Sequence, residues 1–456
     1  MLKIKMPPNA NQIIHTLQEA GYEAYIVGGC VRDAVLGKEP DDWDITTSAK
    51  PDEVKALFRR TIDTGIQHGT VTVMMKNEDT GNLEGYEVTT YRIDGKYEDH
   101  RRPMEVTFST SLIEDMKRRD FTINAMAYND EEGVIDHFEG IRDLEHGVIR
   151  CVGEPSERFD EDALRILRAV RFAAQLDFTI EERTQEAIRR QAKFLKDISA
   201  ERIRVELNKL LLSNHPERIR TAYELGVTKV VLPEFDAMME TEQNHKHHMY
   251  SVGEHTIHVI EEVPATQNLR WAALLHDVAK PVVKTSDASG DHFYGHNKEG
   301  EKLAGEILRR LKFDNDTIAK VKRLVYWHDY GMGEMPSLKS FRKSLSKMGP
   351  DLFPEYVEIK RADILAQSDF LRQQKLDNLA GLEQYYEHIL EEQQCLTLKD
   401  LAVTGKDLIE NGMKPGKELG ATLAYLLECV LEEPEKNERE TLLALAKEKG
   451  YFSHVN

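Results

Sequence analysis

Cysteine is scarce in this chain: Cys30, Cys151, Cys395 and Cys429 are the only four among 456 residues, and none falls in a CxxC or CxH spacing. That excludes a disulfide framework and a zinc knuckle, and the thiols are expected to be free. Long apolar runs are missing as well. No stretch approaches the ~18 apolar residues that a membrane span needs, and the N-terminus, MLKIKMPPNANQIIHTL, has neither a long apolar segment nor a small-residue cleavage site. The expected location is cytoplasmic, with no membrane partner. Positive charge is in deficit, with 61 Lys and Arg against 80 Asp and Glu and a net charge of -19. A generic nucleic-acid binder with a basic surface is therefore excluded, while a local basic cleft in an acidic shell is not. Repeats and low-complexity linkers are also lacking.

What is present, 40% apolar and 31% charged residues, describes a folded chain long enough for two to four domains. Residues 11 to 150 alternate strand signals (EAYIVGG, WDITT, GTVTVMM, EGYEVTTYR, MEVTFS) with helical ones (VRDAVLG, PDEVKALF), which predicts an α/β head on a mixed sheet. From Pro155 the strand signals stop. DEDALRILRAVRFAAQL reads as one amphipathic helix whose stripe is Ala163, Ile166, Leu167, Val170, Ala173 and Ala174, with Asp162, Arg165 and Arg168 on the other side. The fold class is α+β: a head over 1–150, a helical neck over 151–230, a His-rich helical unit over 231–345 and an acidic helical tail over 346–456.

PDDWDI, residues 40 to 45, crowds three carboxylates around a tryptophan. On a strand, Asp42 and Asp44 would share one face and Trp43 the other. Paired hard oxygens suit Mg²⁺, which accepts one or two carboxylates and leaves positions for phosphate oxygens and water. Upstream, Gly28-Gly29 between strand and helix would let backbone N–H groups approach a phosphate, with Arg32 adding charge. The plainer alternative is an acidic turn whose aspartates cap a helix or face water.

The ordered set GG, VRD and DWDIT, followed by RRDFTINA (118–125), EDALR (161–165) and ERIRVELNKLL (201–211), resembles the signature of class II tRNA nucleotidyltransferases and their bacterial poly(A) polymerase relatives. The resemblance implies template-independent addition of CCA to the tRNA 3′ end from CTP and ATP. It assigns Asp42 and Asp44 to Mg²⁺, with Glu87 as a third catalytic carboxylate. Gly28, Gly29, Arg32, Arg119, Asp120 and Asn124 would hold ribose and triphosphate, joined by Arg168 and Arg171. Asp162 and Arg165 would read the base. A carboxylate accepts from the exocyclic amino group and a guanidinium donates to the adjacent ring nitrogen of cytosine or adenine, whereas uracil and guanine present the reversed pattern. An intrahelical ion pair is the plainer reading of those two. The loop RIDGKYEDHRRPMEV (92–106) falls where the family switches from C to A addition, and its full length weighs against a CC-only enzyme. An A-adding enzyme, a poly(A) polymerase and, more remotely, a phosphohydrolase with an RNA-binding head stay open. Arg168, Arg171, Arg189, Arg190, Arg202 and Arg204 are candidates to face tRNA.

His276-Asp277 and His328-Asp329 each close an apolar helical run, and with His255, and with His292 and His296, they offer nitrogen and oxygen ligands for a divalent metal of open identity. This set resembles an HD-type phosphohydrolase module, which implies phosphatase or 2′,3′-cyclic phosphodiesterase chemistry. His245, His247 and His248 are less specific and fit a helix cap. LAVTGKDLIENGMKPGKELG (401–420) resembles the family's C-terminal, tRNA-contacting region.

Overall fold

In this computed structural model the Val- and Thr-rich segments pair into a seven-stranded sheet. The described residues are 2–78, 80–94, 97–98, 102–103, 106–243, 249–288, 290–331 and 333–449. The strands are β1 (Ala24–Val27), β2 (Ile45–Thr47), β3 (Thr61–Gly65), β4 (Thr70–Lys76), β5 (Leu83–Thr90), β6 (Met126–Asn129) and β7 (Gly133–Asp136), in the order β7-β6-β1-β2-β5-β4-β3. Only β2 and β5 run parallel, with Ile45 opposite Val88; the other neighbours are antiparallel. MEVTFS does not join them: Val106–Phe108 pairs instead with Arg92–Asp94, a separate two-stranded ladder. The chain divides into two compact units, Met1–Asp236 and Ala237–Asn456.

Between β1 and the short helix α1 (Gly29–Val35), Gly28 takes φ 84°, a left-handed turn that favours glycine. Asp42 and Asp44 depart from expectation, because β2 starts only at Ile45, where Ile26 and Val88 supply partners on both sides. Their shared strand face is thus not formed, although the Asp44 carbonyl still accepts from Val27 N–H at 3.0 Å. Trp43 is half-buried.

The long helix expected over 160–176 is broken in two, α3 (Pro155–Glu161) and α4 (Leu164–Leu176). Asp162 sits at φ -144°, ψ 104° and its Oδ1 accepts the Leu164 N–H at 3.0 Å, as a capping side chain does at a helix start. Past the break the expected stripe holds, with Ala163, Ile166, Leu167, Val170, Ala173 and Ala174 all buried. Helix α5 (Ala200–Leu211) packs on α4, and between them Arg171 Nε meets Glu206 Oε2 at 2.6 Å in a buried ion pair.

Among the described residues the second unit is helical apart from one antiparallel pair, Thr285–Asp287 with Gly290–His292. Helices α6 (Val252–Glu262), α7 (Gln267–Leu275), α8 (His296–Arg310), α9 (Asn315–Trp327) and α10 (Phe353–Ala366) pack around one another. The C-terminal helices bury Leu408, Leu426, Val430 and Leu442 in a core of their own, and within 401–420 a reciprocal Thr404–Asp407 box caps helix Gly405–Glu410. All four cysteines are free. Among the described residues no helix is long and apolar enough to cross a membrane.

The turn that carries Asn124 rests on Gly140, where an added β-carbon would stand 2.4 Å from the Thr122 carbonyl oxygen. Gly140→Ala is expected to destabilise the first unit by about 1 to 3 kcal/mol through backbone displacement, read as a lower denaturation midpoint at unchanged slope.

Candidate active site

The end of β1, the start of α1, the 118–124 turn and helices α4 and α5 surround a polar cleft of about 470 Å³. Gly28, Gly29, Arg32, Asp44, Arg119, Asp120, Asn124, Asp162, Arg165, Arg168 and Arg171, all expected from the sequence, line it together. Gly28 is glycine for space as well as for φ: a β-carbon there would come within 3.1 Å of Arg119 Nη1. A second cavity of about 200 Å³ shares Asp44 and Arg119 with the first and adds Glu87 and Arg92. Ile45, the residue after Asp44, pairs with Val88, the residue after Glu87, and the two carboxylates line this second cavity together just ahead of that ladder.

Burial raises the Asp44 carboxyl above its usual range, and the neighbouring negative charges of Glu87 and Asp42 push the same way against Arg119. Such carboxylate crowding is short of a cation. Asp42, Asp44 and Glu87 are all exposed, so water screens part of their repulsion and the surrounding protein only partly desolvates Asp44.

The polar walls are organised by ion pairs. Arg168 Nε and Nη2 both meet Asp120 Oδ2, at 2.7 and 2.6 Å. Asp120 Oδ1 accepts the Asn124 amide at 3.2 Å, while Asn124 Oδ1 accepts from Arg32 Nη1 at 2.7 Å. Burial would raise Asp120, but Arg168 and Arg165 outweigh it and hold the carboxyl down to about 2. Phe172 lies beneath the guanidinium of Arg171, 3.9 Å from the ring centroid, with those of Arg32 and Arg168 farther out.

The helix break corrects the picture of Asp162 and Arg165 as neighbours on one helical face. Asp162 pairs with Arg202 at 2.7 Å, and Arg165 pairs with Glu161 at 2.5 Å while donating to the Arg118 carbonyl at 2.8 Å. Both still line the cleft. Sequence reasoning passed over Arg118, Phe172 and Lys209 as cleft residues and placed Arg202 towards tRNA. The RR doublet was a signal for Arg118; nothing local marks Phe172. Arg189 and Arg190 are exposed on helix Glu182–Gln191, and Arg204 is half-buried. Residues 95, 96, 99–101, 104 and 105 of the 92–106 loop, and His245, His247 and His248, lie outside the described residues.

In the second unit His255, His276 and Asp363 form one potential metal tripod, and Asp277, His296 and His328 form another. Asp277 lies between them, its Oδ2 3.2 Å from His276 Nε2 and its Oδ1 3.6 Å from both His296 and His328 Nε2. Backbone carbonyls of Ala273, Phe293 and Val325 lie 2.7, 2.8 and 2.6 Å from the Nδ1 atoms of His276, His296 and His328. That arrangement favours the Nδ1–H tautomer and leaves each Nε2 lone pair facing the centre. Asp329 joins through His296 Nε2 at 3.0 Å. His292 stands apart, stacked on Tyr294 and paired with Asp287. Asp363 was missed: it sits on α10 between Ala362 and Ile364, both buried, and a lone acid in such an apolar setting was its signal. Burial would raise Asp363, but the hydrogen bond from His255 and the charges of His255 and Lys360 keep it well below the usual range. A cavity of about 320 Å³ opens on Asp277, His296, His328, Asp329 and Asp363.

Three family models match the chain: a poly A polymerase head domain over residues 24–150, a probable RNA and SrmB-binding site of polymerase A over 177–239, and a putative tRNA nucleotidyltransferase domain 2 over 296–446. The CCA-adding enzyme of Levilactobacillus brevis is 37% identical over 95% of this chain and 96% of its own. That of Lactobacillus helveticus is 34% identical over 97% and 98%. Among solved structures, the Bacillus stearothermophilus CCA-adding enzyme in complex with CTP superposes with a TM-score of 0.71 at 29% identity, covering 97% of this chain and 98% of that one.

Asp120 sets an acid limit. A carboxyl lowered in the folded state contributes stability that is complete above its unfolded value near pH 4 and is lost as pH falls through about 2. The stability difference between wild type and Asp120→Asn is expected to be flat, at about 2 kcal/mol, above pH 4 and to shrink towards zero by pH 2 in acid titrations of unfolding.

Proposed function

The chain belongs to the family of CCA-adding enzymes, and from that premise we propose how its residues share the work. It is a template-independent tRNA nucleotidyltransferase that builds or repairs the 3′-terminal CCA from CTP and ATP and releases pyrophosphate. The observation that carries the assignment of parts is the placing of Asp44 beside Glu87 at the mouth of a cleft whose walls hold both an arginine clamp and Asp162 with Arg165.

CCA-adding enzymes depend on divalent metal. Asp44 and Glu87, with Asp42 nearby, are the residues that would hold Mg²⁺ here, and their crowded negative charges fit a small cation. Bound there, Mg²⁺ would stabilise charge on the attacking 3′-hydroxyl and on the phosphate oxygens. Arg118 and Arg119 at the junction of the two cavities clamp the triphosphate, and Gly28 gives Arg119 and the phosphates room. Asp120 and Asn124 meet the ribose, oriented by Arg168 and Arg32. Asp162 accepts the exocyclic amino group and Arg165 donates to the ring nitrogen. Arg202 and Glu161 hold those two side chains in place, so the pairing pattern is fixed before a nucleotide arrives. UTP and GTP would leave buried polar groups unpaired, at roughly 1 to 3 kcal/mol each. In this reading residues 1–150 catalyse, 151–230 carry the base template, and 346–456 meet tRNA.

The histidine–aspartate centre favours a second, independent activity: residues 231–345, completed by Asp363, bind divalent metal and hydrolyse phosphoesters. Four imidazoles whose Nε2 atoms converge on buried carboxylates match a transition-metal donor set.

Transcripts ending before CCA, after C and after CC, given CTP and ATP separately and together, test the main reading; sequential C, C, A addition is expected, and A addition to the CC-ending transcript alone would contradict it. Asp44→Asn is expected to lower incorporation by at least about 100-fold while leaving tRNA binding intact in a filter assay. Asp162→Ala is expected to admit UTP and GTP, and an unchanged preference would remove the base-reading role. For the second centre, metal content measured on purified protein should fall in His276→Ala.

A further inference from the structure

Asp115, on the short helix α2 (Leu112–Lys117), is fully buried yet ionic. Its carboxylate meets four residues from three places in the fold. Oδ1 accepts from Arg118 Nε and Nη2 at 3.0 and 2.8 Å and lies 3.4 Å from the Arg92 backbone N–H. Oδ2 accepts from Arg119 Nη2 at 3.2 Å and lies 3.3 Å from the Thr46 hydroxyl, whose one proton it shares with the Thr89 carbonyl at 3.2 Å. Thr46 lies two residues past Asp44 on β2, and Arg92 opens the Arg92–Asp94/Val106–Phe108 ladder. Arg118 and Arg119 border both cavities.

Burying a carboxylate is costly unless it is paired and hydrogen-bonded throughout, and a group so satisfied is rigid. Two arginine side chains left without such an anchor would sample many rotamers and lose that freedom on binding phosphate. We propose that Asp115 is a positioning residue for nucleotide transfer. It presets Arg118 and Arg119 for the triphosphate and locks them in register with β2, which begins one residue after Asp44, and with the Arg92–Asp94/Val106–Phe108 ladder. It touches neither nucleotide nor metal. The effect falls on the part that CTP and ATP share, so base choice by Asp162 and Arg165 is untouched. This rests on the reading of Arg118 and Arg119 as the triphosphate clamp.

The test uses full-length Asp115→Asn, which keeps the shape and removes the charge, with inorganic tripolyphosphate as the calorimetric probe and steady-state CTP and ATP addition on C-ending and CC-ending transcripts. Tripolyphosphate affinity should fall about tenfold, and KM for CTP and for ATP should rise by about the same factor, the loss of charge-assisted hydrogen bonds. The preference for CTP over UTP should not move. Unchanged tripolyphosphate affinity, or a fall in kcat alone with KM constant, would overturn the proposal. Arg119→Ala separates the two readings: if it binds tripolyphosphate normally the clamp itself is wrong, whereas if it binds weakly while Asp115→Asn does not, only Asp115 is misassigned. Should Asp115→Asn lack a cooperative unfolding transition, the isosteric Thr46→Val removes one donor from the same carboxylate. Its tripolyphosphate affinity should fall about threefold, and wild-type affinity in that variant would equally overturn the proposal.

Discussion

A guanidinium cannot shed its charge, and seven arginines border one cleft in the first unit against three aspartates. That excess of fixed positive charge is the constraint the rest of the site answers to. Each wall of the cleft is built so that a carboxylate takes up an arginine: Asp120 with Arg168, Glu161 with Arg165, Asp162 with Arg202, and Glu206 with Arg171. Asp33 takes up Arg32 and Asp115 takes up Arg118 and Arg119 together, and in the proposed mechanism a triphosphate meets the guanidinium groups these carboxylates orient. An acidic protein of net charge -19 can in this way present a strongly basic interior surface.

The second unit poses the inverse problem. Asp277 and Asp363 are buried among four histidines, and Lys280 and Lys360 stand close, with Lys280 Nζ 2.7 Å from Asp277 Oδ2. Where the first cleft gathers guanidinium groups that suit an anion, this one gathers lone pairs that suit a cation. The two units thus hold chemically opposite sites.

Much of this was legible in the sequence because it depends on local pattern. The α+β class follows from strand signals that end at Pro155, and the buried stripe of α4 follows from period 3.6. The residues lining the nucleotide cleft follow from motifs that turn, cap and expose side chains within a few residues. What escaped depends on geometry across distance. Asp42 and Asp44 read as strand residues because alternation is a local signal, whereas the start of β2 is decided by where Ile26 and Val88 lie. The break at Asp162 was hidden because every residue from 160 to 176 suits a helix; a capping carboxylate and its contact with Arg202, forty residues on, override that propensity. Asp363 lies 108 residues from His255, its partner, and no spacing rule reaches so far.

The capping contact of Asp162 bears on how such an enzyme can change. One oxygen of this side chain starts a helix and the other is gripped by Arg202, and in the proposed mechanism the same group reads the incoming base. A substitution that altered nucleotide preference would also loosen the first turn of α4, and with it Arg165, Arg168 and Arg171, which all project from that helix. Specificity and foldedness are thereby welded at one position. Drift towards a new alphabet has no gradual route through this residue, which makes the fidelity of an untemplated polymerase partly a by-product of helix architecture.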